Sequence, residues 1–336
     1  MGQRETERLN EIIFGAGLAS AVCTAAELGV ADHIQRGSPR SARQLAEATS
    51  CLEGPLYRLM RLLASYGLFS ETRNGEFDHT ALSEALRSDA DGSYRAGARL
   101  FQRIFASWTG LEHAVRTGQP GFNKIYGKAI FDYVGEHPDL GPILDAGMSS
   151  FHGYETAAML DVCDFSGVRV LADVGGGNGS LIGAVLQRYP RMRGLLFDLG
   201  HVAARARQSL KEQGLSDRCE VLEGSFFETI PAGADAYLLR HIIHDWTDEQ
   251  CLQILHHCRK VIPTEGRLFI VECVVPTGND RSISKDFDIT MMNFPGGLER
   301  TEAQFRALLA RAGFELSSIT PTATMVSIVE GRPVPR

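Results

Sequence analysis

Apolar and polar residues along this chain follow two rhythms, and the change from one to the other falls near residue 168. Before it, apolar positions recur every three or four residues, the spacing of a helix with one buried face. Residues 10–35 form one such stretch, broken at Gly29. Ser41 stands where an N-cap opens a second helix over Ala42-Arg-Gln-Leu-Ala-Glu, and Leu56, Leu59, Met60, Leu62 and Leu63 mark a third. Residues 67–71 and 75–79 flank Arg73-Asn74-Gly75, and an Asn-Gly pair between short apolar segments predicts a hairpin. Helix, turn, helix and hairpin trace the outline of a winged helix. Residues 95–165 return to helical spacing, punctuated by Gly118-Gln-Pro-Gly121 and Glu136-His-Pro138.

Beyond residue 168, apolar runs of strand length (168–174, 194–197, 219–222, 236–239 and 268–275) alternate with helical patterns. That alternation predicts a parallel sheet with helices on both faces. The last two runs, 316–320 and 324–329, lie too close for a helical crossover and are expected to pair antiparallel.

Charge then narrows the winged-helix reading. A formal net charge of −7 argues against a nucleic-acid surface, which needs an excess of Lys and Arg on some face. The third helix carries only Arg58 and Arg61 as basic residues, so the outline reads as a packing or dimerisation module. Seven cysteines are scattered without a Cys-x-x-Cys pair, the usage of buried free thiols in a reducing compartment. The segment from Met1 to Arg8 is polar and leads into no signal-peptide core, and no apolar run reads as long enough to span a membrane. Gly2 with Thr6 fits the bare myristoylation pattern, but no polybasic second anchor follows. The expectation is a cytoplasmic protein with no nucleic-acid or membrane partner.

The sharpest chemical signal is Val170-Leu-Ala-Asp173-Val-Gly175-Gly-Gly177-Asn-Gly179-Ser, a buried strand running into a glycine turn and a helix. Glycine serves where the backbone takes a positive φ or must approach a ligand closely, and the helix start adds a positive dipole end. Ser180 stands where a dinucleotide fingerprint wants a third Gly or Ala, and Asp173 enters the turn directly. A carboxylate there suits a cationic ligand, such as an amino-acid-bearing sulfonium, better than a pyrophosphate. About twenty residues on, Asp198 closes the second strand, where α/β nucleoside-binding folds bond ribose hydroxyls. Its alternative is a cap for the following helix.

These motifs are joined by Phe197-Asp-Leu-Gly-His-Val202, Gly224-Ser-Phe-Phe227, His241-Ile-Ile-His244-Asp-Trp246, Val271-Glu272-Cys and Pro295-Gly-Gly-Leu-Glu299-Arg-Thr301, in that order. Together they resemble the plant caffeic-acid-type O-methyltransferases and their bacterial antibiotic-pathway relatives, over nearly the whole chain. The resemblance implies an α/β fold: a Rossmann-like seven-stranded methyltransferase domain with its last strand antiparallel, preceded by a mostly helical, winged-helix-like dimerisation domain. On that reading residues 1–100 dimerise, 101–165 form a helical linker and substrate lid, and 166–336 bind S-adenosylmethionine. It implies His244 as general base for a hydroxyl of an aromatic acceptor, with Glu272 and Glu299 as flanking carboxylates. It places Asp173, Gly175, Gly177, Gly179, Asp198, Leu199, Ser225, Phe226, Arg240 and Ser149 on the cofactor, and Met148, Met291 and Asn293 on the acceptor. No metal and a homodimer are implied. The chain departs from plant members at Ser225 (usually Asp), Arg240 (usually Lys) and Phe294 (usually Asn).

The chemistry is coherent with those roles. A phenol ionises near pH 10 and free imidazole near 6.5, so outright deprotonation by an unaided His costs roughly 5 kcal/mol. Neighbouring carboxylates reduce that cost by raising the imidazole and orienting its ring. His241, His244 and Asp245 read poorly as metal ligands, and His256-His257 reads as a solvated helix face. Three rival readings stay open: a nicotinamide oxidoreductase, a ligand-sensing DNA-binding regulator, and a relative that binds the same cofactor but performs hydroxylation, decarboxylation or N-methylation.

Overall fold

A computed structural model describes residues 2–90, 92–137 and 140–335. The chain divides into two compact units, one of residues 1–108 with 131–154, the other of residues 109–130 with 155–336. The helix Gly141–Val162 passes from the first to the second.

The first unit is mostly helical. Its long helix, Gln3–Leu28, stops at Gly29, whose left-handed φ of 69° lets its N–H return to the carbonyls of Ala25 and Ala26. This helix departs from the sequence expectation. It holds an 18-residue window of mean hydropathy 1.4, long and apolar enough by length and composition to cross a membrane, a run obscured in the sequence by interspersed Gly, Ser and Thr. The helix Ala42–Thr49 opens on a capping box between Ser41 and Gln44, worth about 1 kcal/mol. The helix Glu53–Ser65 buries Leu56, Met60 and Leu63 and leaves Arg58 and Arg61 outside. Strands β1 (Arg40–Ser41), β2 (Phe69–Glu71) and β3 (Glu76–His79) form a small antiparallel sheet in the order β1-β3-β2. The Asn74-Gly75 turn joins β2 to β3 in the register Phe69↔His79. Phe77 points from this sheet into a core with Val30, Leu45, Met60 and Leu63.

The second unit is built on seven strands: β4 (Val170–Val174), β5 (Arg193–Asp198), β6 (Cys219–Glu223), β7 (Ala236–Arg240), β8 (Arg267–Cys273), β9 (Phe314–Pro321) and β10 (Val326–Pro333). Their order is β6-β5-β4-β7-β8-β10-β9. The first five pair parallel, and β10 runs antiparallel to both β8 and β9. The parallel core of the sheet is buried on both faces, so its strands read as continuous apolar runs whose successive residues the pleat sends to opposite layers. Ala172, Tyr237, Leu239, Leu268 and Ile270 pack into one layer of helices, while Leu171, Ala236, Leu238, Phe269 and Val271 pack into the other. Strand order reverses at β4, which has β5 on one side and β7 on the other. In an open parallel sheet, that reversal leaves a crevice at the carboxyl ends of the strands.

Candidate active site

The chemistry-bearing residues gather at those carboxyl ends. From β4 the chain enters Gly175–Gly179, three of whose glycines take positive φ (72° at Gly175, 58° at Gly177 and 80° at Gly179). Gly177 has open space where a Cβ would stand, so the turn presents bare backbone outward. Asp198 ends β5, accepting the Gly177 N–H at 2.8 Å on Oδ2 and the Leu199 N–H at 2.7 Å on Oδ1. Each oxygen keeps a second lone pair for an incoming hydroxyl. Asp198 therefore fixes the glycine turn against the start of the next segment without capping the helix Gly200–Glu212, and still offers acceptors.

Asp173 lies beneath the turn, 2% exposed, and its Oδ2 has no hydrogen-bond partner among the described residues. Burial lifts its carboxyl to about 7, against the pull of Arg240, with Asp198 adding repulsion. A buried carboxylate oxygen without a donor costs about 1–3 kcal/mol, so a cation or donor placed over it is favoured. Arg240 closes β7 and bonds Thr156 Oγ1 at 2.8 Å. Phe226 stands beside Ile242 at the space over Gly175, its ring edge-on to Phe227. A glycine turn that lets a ligand approach its backbone closely, two carboxylates and an aromatic face fit a nucleoside that carries a positive charge, as S-adenosylmethionine does.

Beyond β7, Ile243–Asp245 forms a short 3-10 turn carrying His244. Its imidazole is buried, with Nδ1 2.6 Å from Glu299 Oε1 and Nε2 3.5 Å from Asp245 Oδ1. Burial works to lower the imidazole pKa, yet Asp245, Glu299 and Glu272 together outweigh it and push it up to about 10. Glu272 adds a second contact to its charge on the ring. Its Oε1 accepts the backbone N–H groups of Ile242 (3.2 Å) and His244 (3.1 Å), so it grips the turn and leaves direct contact with the ring to Glu299. Burial pushes the Glu272 carboxyl up. Glycine is required at Gly297, where a Cβ would stand 1.9 Å from the His244 carbonyl oxygen. The neighbouring Leu298 N–H donates to that same carbonyl at 2.7 Å.

Other expected residues stand in differing surroundings. Leu199 is the exposed N-cap of the helix Gly200–Glu212. The Ser225 hydroxyl accepts the Phe227 N–H at 3.2 Å. The Met291 carbonyl accepts the N–H groups of Gly296 and Gly297, fixing the turn before Leu298. Asn293 is fully buried with its Oδ1 against Gly121, in a position of close packing. Met148 lies in the first unit and is partly exposed, and the side chain of Ser149 lies outside the described residues.

Sequence reasoning missed several groups. His241, at an unusual φ of 54°, is buried with Nε2 2.7 Å from Glu155 Oε2, and its ring lies 5.0 Å from that of His244. Burial, then the charges of His244 and Arg240, holds its pKa well below the ordinary imidazole range. Glu155 is 86 residues away, which no local pattern reveals. His257 is half-buried and bonds the Phe226 carbonyl at 3.0 Å, so only His256 keeps the solvated character expected of both. Arg300 was visible within Glu299-Arg-Thr301, but its burial was not.

Comparison with known proteins finds relatives along nearly the whole chain. Residues 108–315 match the family model of an O-methyltransferase domain, and residues 10–89 that of an O-methyltransferase dimerisation domain. The chain is 36% identical to a phenazine O-methyltransferase of Lysobacter antibioticus, covering 97% of this chain and 96% of that one. It is 38% identical to a mitomycin biosynthesis 6-O-methyltransferase of Streptomyces lavendulae, covering 97% and 94%. Among solved structures, a methyltransferase of calicheamicin biosynthesis with bound S-adenosylhomocysteine superposes with a TM-score of 0.90, at 34% identity over 99% of this chain and 100% of that one.

Proposed function

The chain belongs to the O-methyltransferase family, and from that premise we propose that it methylates a hydroxyl group of a flat aromatic acceptor, with His244 accepting the proton. The observation that carries the proposal is the buried His244–Glu299 contact of 2.6 Å, at the carboxyl end of β7. With the imidazole at about 10, proton transfer from an ordinary phenol to its neutral form is close to even, where free imidazole faces roughly 5 kcal/mol, and the ring must first shed the proton it holds at neutral pH. Nδ1 is committed to Glu299, so Nε2 is the nitrogen that takes the acceptor's proton, and Asp245 stabilises it once charged.

S-adenosylmethionine, when bound, supplies an electrophilic methyl group on a sulfonium. The chain's own contribution is placement: Asp173, Asp198, Arg240, Phe226 and the Gly175–Gly179 backbone hold the nucleoside, while Glu272 and Glu299 fix the base. Phenazine, the acceptor class in one relative's name, is a planar polycycle, which supports a flat apolar acceptor here. The same reading takes residues 1–100 as the dimerising part of a homodimer, 101–165 as linker and lid, and 166–336 as the catalytic part. Exposed Leu9, Ile12, Ile13 and Phe14 on the N-terminal helix support that pairing. Seven free thiols support a reducing, cytoplasmic setting.

The test is a panel of hydroxylated polycyclic arenes incubated with methyl-labelled cofactor. Label is expected in an ether. Label on nitrogen alone, or acceptor hydroxylated without label, would favour the rival reactions of cofactor-binding relatives. Asp198→Ala is expected to weaken S-adenosylhomocysteine binding about 10- to 100-fold by isothermal titration, the loss of a charge-assisted hydrogen-bond pair. Unchanged affinity, or tight binding of NAD alone, rejects the nucleoside site.

A further inference from the structure

The turn bearing His244 is three residues long, and its internal hydrogen bonds are stretched: Asp245 N to Ile242 O at 3.3 Å and Trp246 N to Ile243 O at 3.4 Å. So short a helix has little stability of its own, and its orientation must be imposed from outside. Glu272 holds its amides. Its carbonyls are held by Arg300, one of the largest fully buried side chains, at 1% exposure. Nη1 of Arg300 donates to Ile243 O at 2.9 Å and Nη2 to Trp246 O at 3.2 Å, so the guanidinium grips the backbone on either side of His244-Asp245. Nε and Nη2 both reach Asp248 Oδ1, at 3.1 and 2.8 Å, where the next helix begins. Arg300 is itself anchored: its carbonyl accepts the Val275 N–H at 2.9 Å, and it bridges Val274 just past β8. The same short segment therefore delivers Glu299 to the ring and Arg300 to the turn that carries the ring.

We propose that Arg300 is a positioning residue for methyl transfer, a planar fork that locks the His244 turn so that Nδ1 meets Glu299 and Nε2 faces the acceptor. The proposal rests on His244 being the proton acceptor. A guanidinium reaches these separated carbonyl and carboxylate oxygens from three nitrogens in one rigid plane, whereas an ammonium's three donors radiate from a single atom. A lysine keeps the charge and loses the fork.

The experiment compares Arg300→Lys, Arg300→Ala and His244→Ala, each as the full chain. Rates use the best hydroxyarene of the panel, and affinity is read with S-adenosylhomocysteine. Arg300→Lys is expected to bind the nucleoside within about twofold of the parent yet turn over about 100-fold more slowly, the usual result of a small misplacement of a reacting group. Guanidinium at millimolar concentration is expected to restore much of the rate to Arg300→Ala, and methylammonium none. Histidine-selective nitrogen NMR is expected to lose the Nδ1–H signal of the His244–Glu299 bond in Arg300→Ala and regain it with guanidinium. A parental rate in Arg300→Lys, or a persisting Nδ1–H signal in either Arg300 variant, overturns the proposal. Should Arg300→Ala fail to fold, Arg300→Lys decides by the same rate and signal. Parental turnover in His244→Ala instead sinks the base assignment while the NMR arms still report whether Arg300 orients the ring.

Discussion

Replacing His244 with alanine is expected to lower kcat by about 10³-fold while S-adenosylhomocysteine affinity stays within about twofold. The magnitude follows from positioned proton transfer, which contributes about 10²- to 10⁴-fold. The selectivity follows from where the residue sits. His244 lies beyond the end of β7, with its ring engaged by Glu299 and Asp245, whereas Asp173, Asp198 and the glycine turn belong to β4 and β5. Folding is expected to survive, since alanine removes a buried imidazole and leaves the turn's backbone partners in place. Acceptor acidity supplies an internal control. A strongly acidic phenol reaches the site already ionised, so the penalty for losing His244 should shrink as the acceptor pKa falls. A uniform loss across a series of phenols of graded acidity would mean that the residue only shapes the pocket.

The second large effect concerns pH. With the His244 imidazole raised to about 10, it is protonated at neutrality, and turnover requires its neutral form together with the protonated acceptor, or the equivalent pairing of imidazolium with phenolate. For an acceptor that itself ionises near 10, kcat/KM should rise about tenfold per pH unit from 7, reach its maximum near 10 and fall above it as both groups lose their protons. Glu299→Gln keeps a carbonyl oxygen for Nδ1–H and removes a negative charge, so the imidazole pKa must fall toward the ordinary value. The acid limb then moves to lower pH by more than one unit, and the rate at the optimum drops about 10- to 100-fold with the weaker base. Glu272→Gln changes the partner of the turn's amides, so it should cost rate through placement as well as through charge. An acid limb that stays put in Glu299→Gln would mean that the 2.6 Å contact does not set the proton affinity of the ring.

Much of the architecture could be read from the sequence because it is local. The Ser41 cap, the Asn74-Gly75 hairpin, the glycine turn after β4 and the alternating strands each depend on neighbours within a few residues. The close antiparallel pair at residues 314–333 followed from a loop too short for anything else. What the sequence could not separate were the duties of residues brought together by strand order. Glu272 and Glu299 look equivalent as two carboxylates, and only the fold sends one to the backbone and the other to the imidazole. Glu155 meets His241 across 86 positions, and Arg300 becomes a buried clamp through a bridge to Val274. The apolar length of the N-terminal helix is masked for another reason: Gly, Ser and Thr interrupt its apolar run, while its alanine and aliphatic residues keep the mean hydropathy at 1.4.

The placement of β10 between β8 and β9 has a bearing on the strand that carries Glu272. Glu272 faces Ser327 in that ladder. β8 pairs with β7 along one edge, and only residues 326–331, far along the chain, cover the other. The nucleoside-holding strands β4 and β5 are framed without that pairing, whereas the sheet edge that carries Glu272 depends on it.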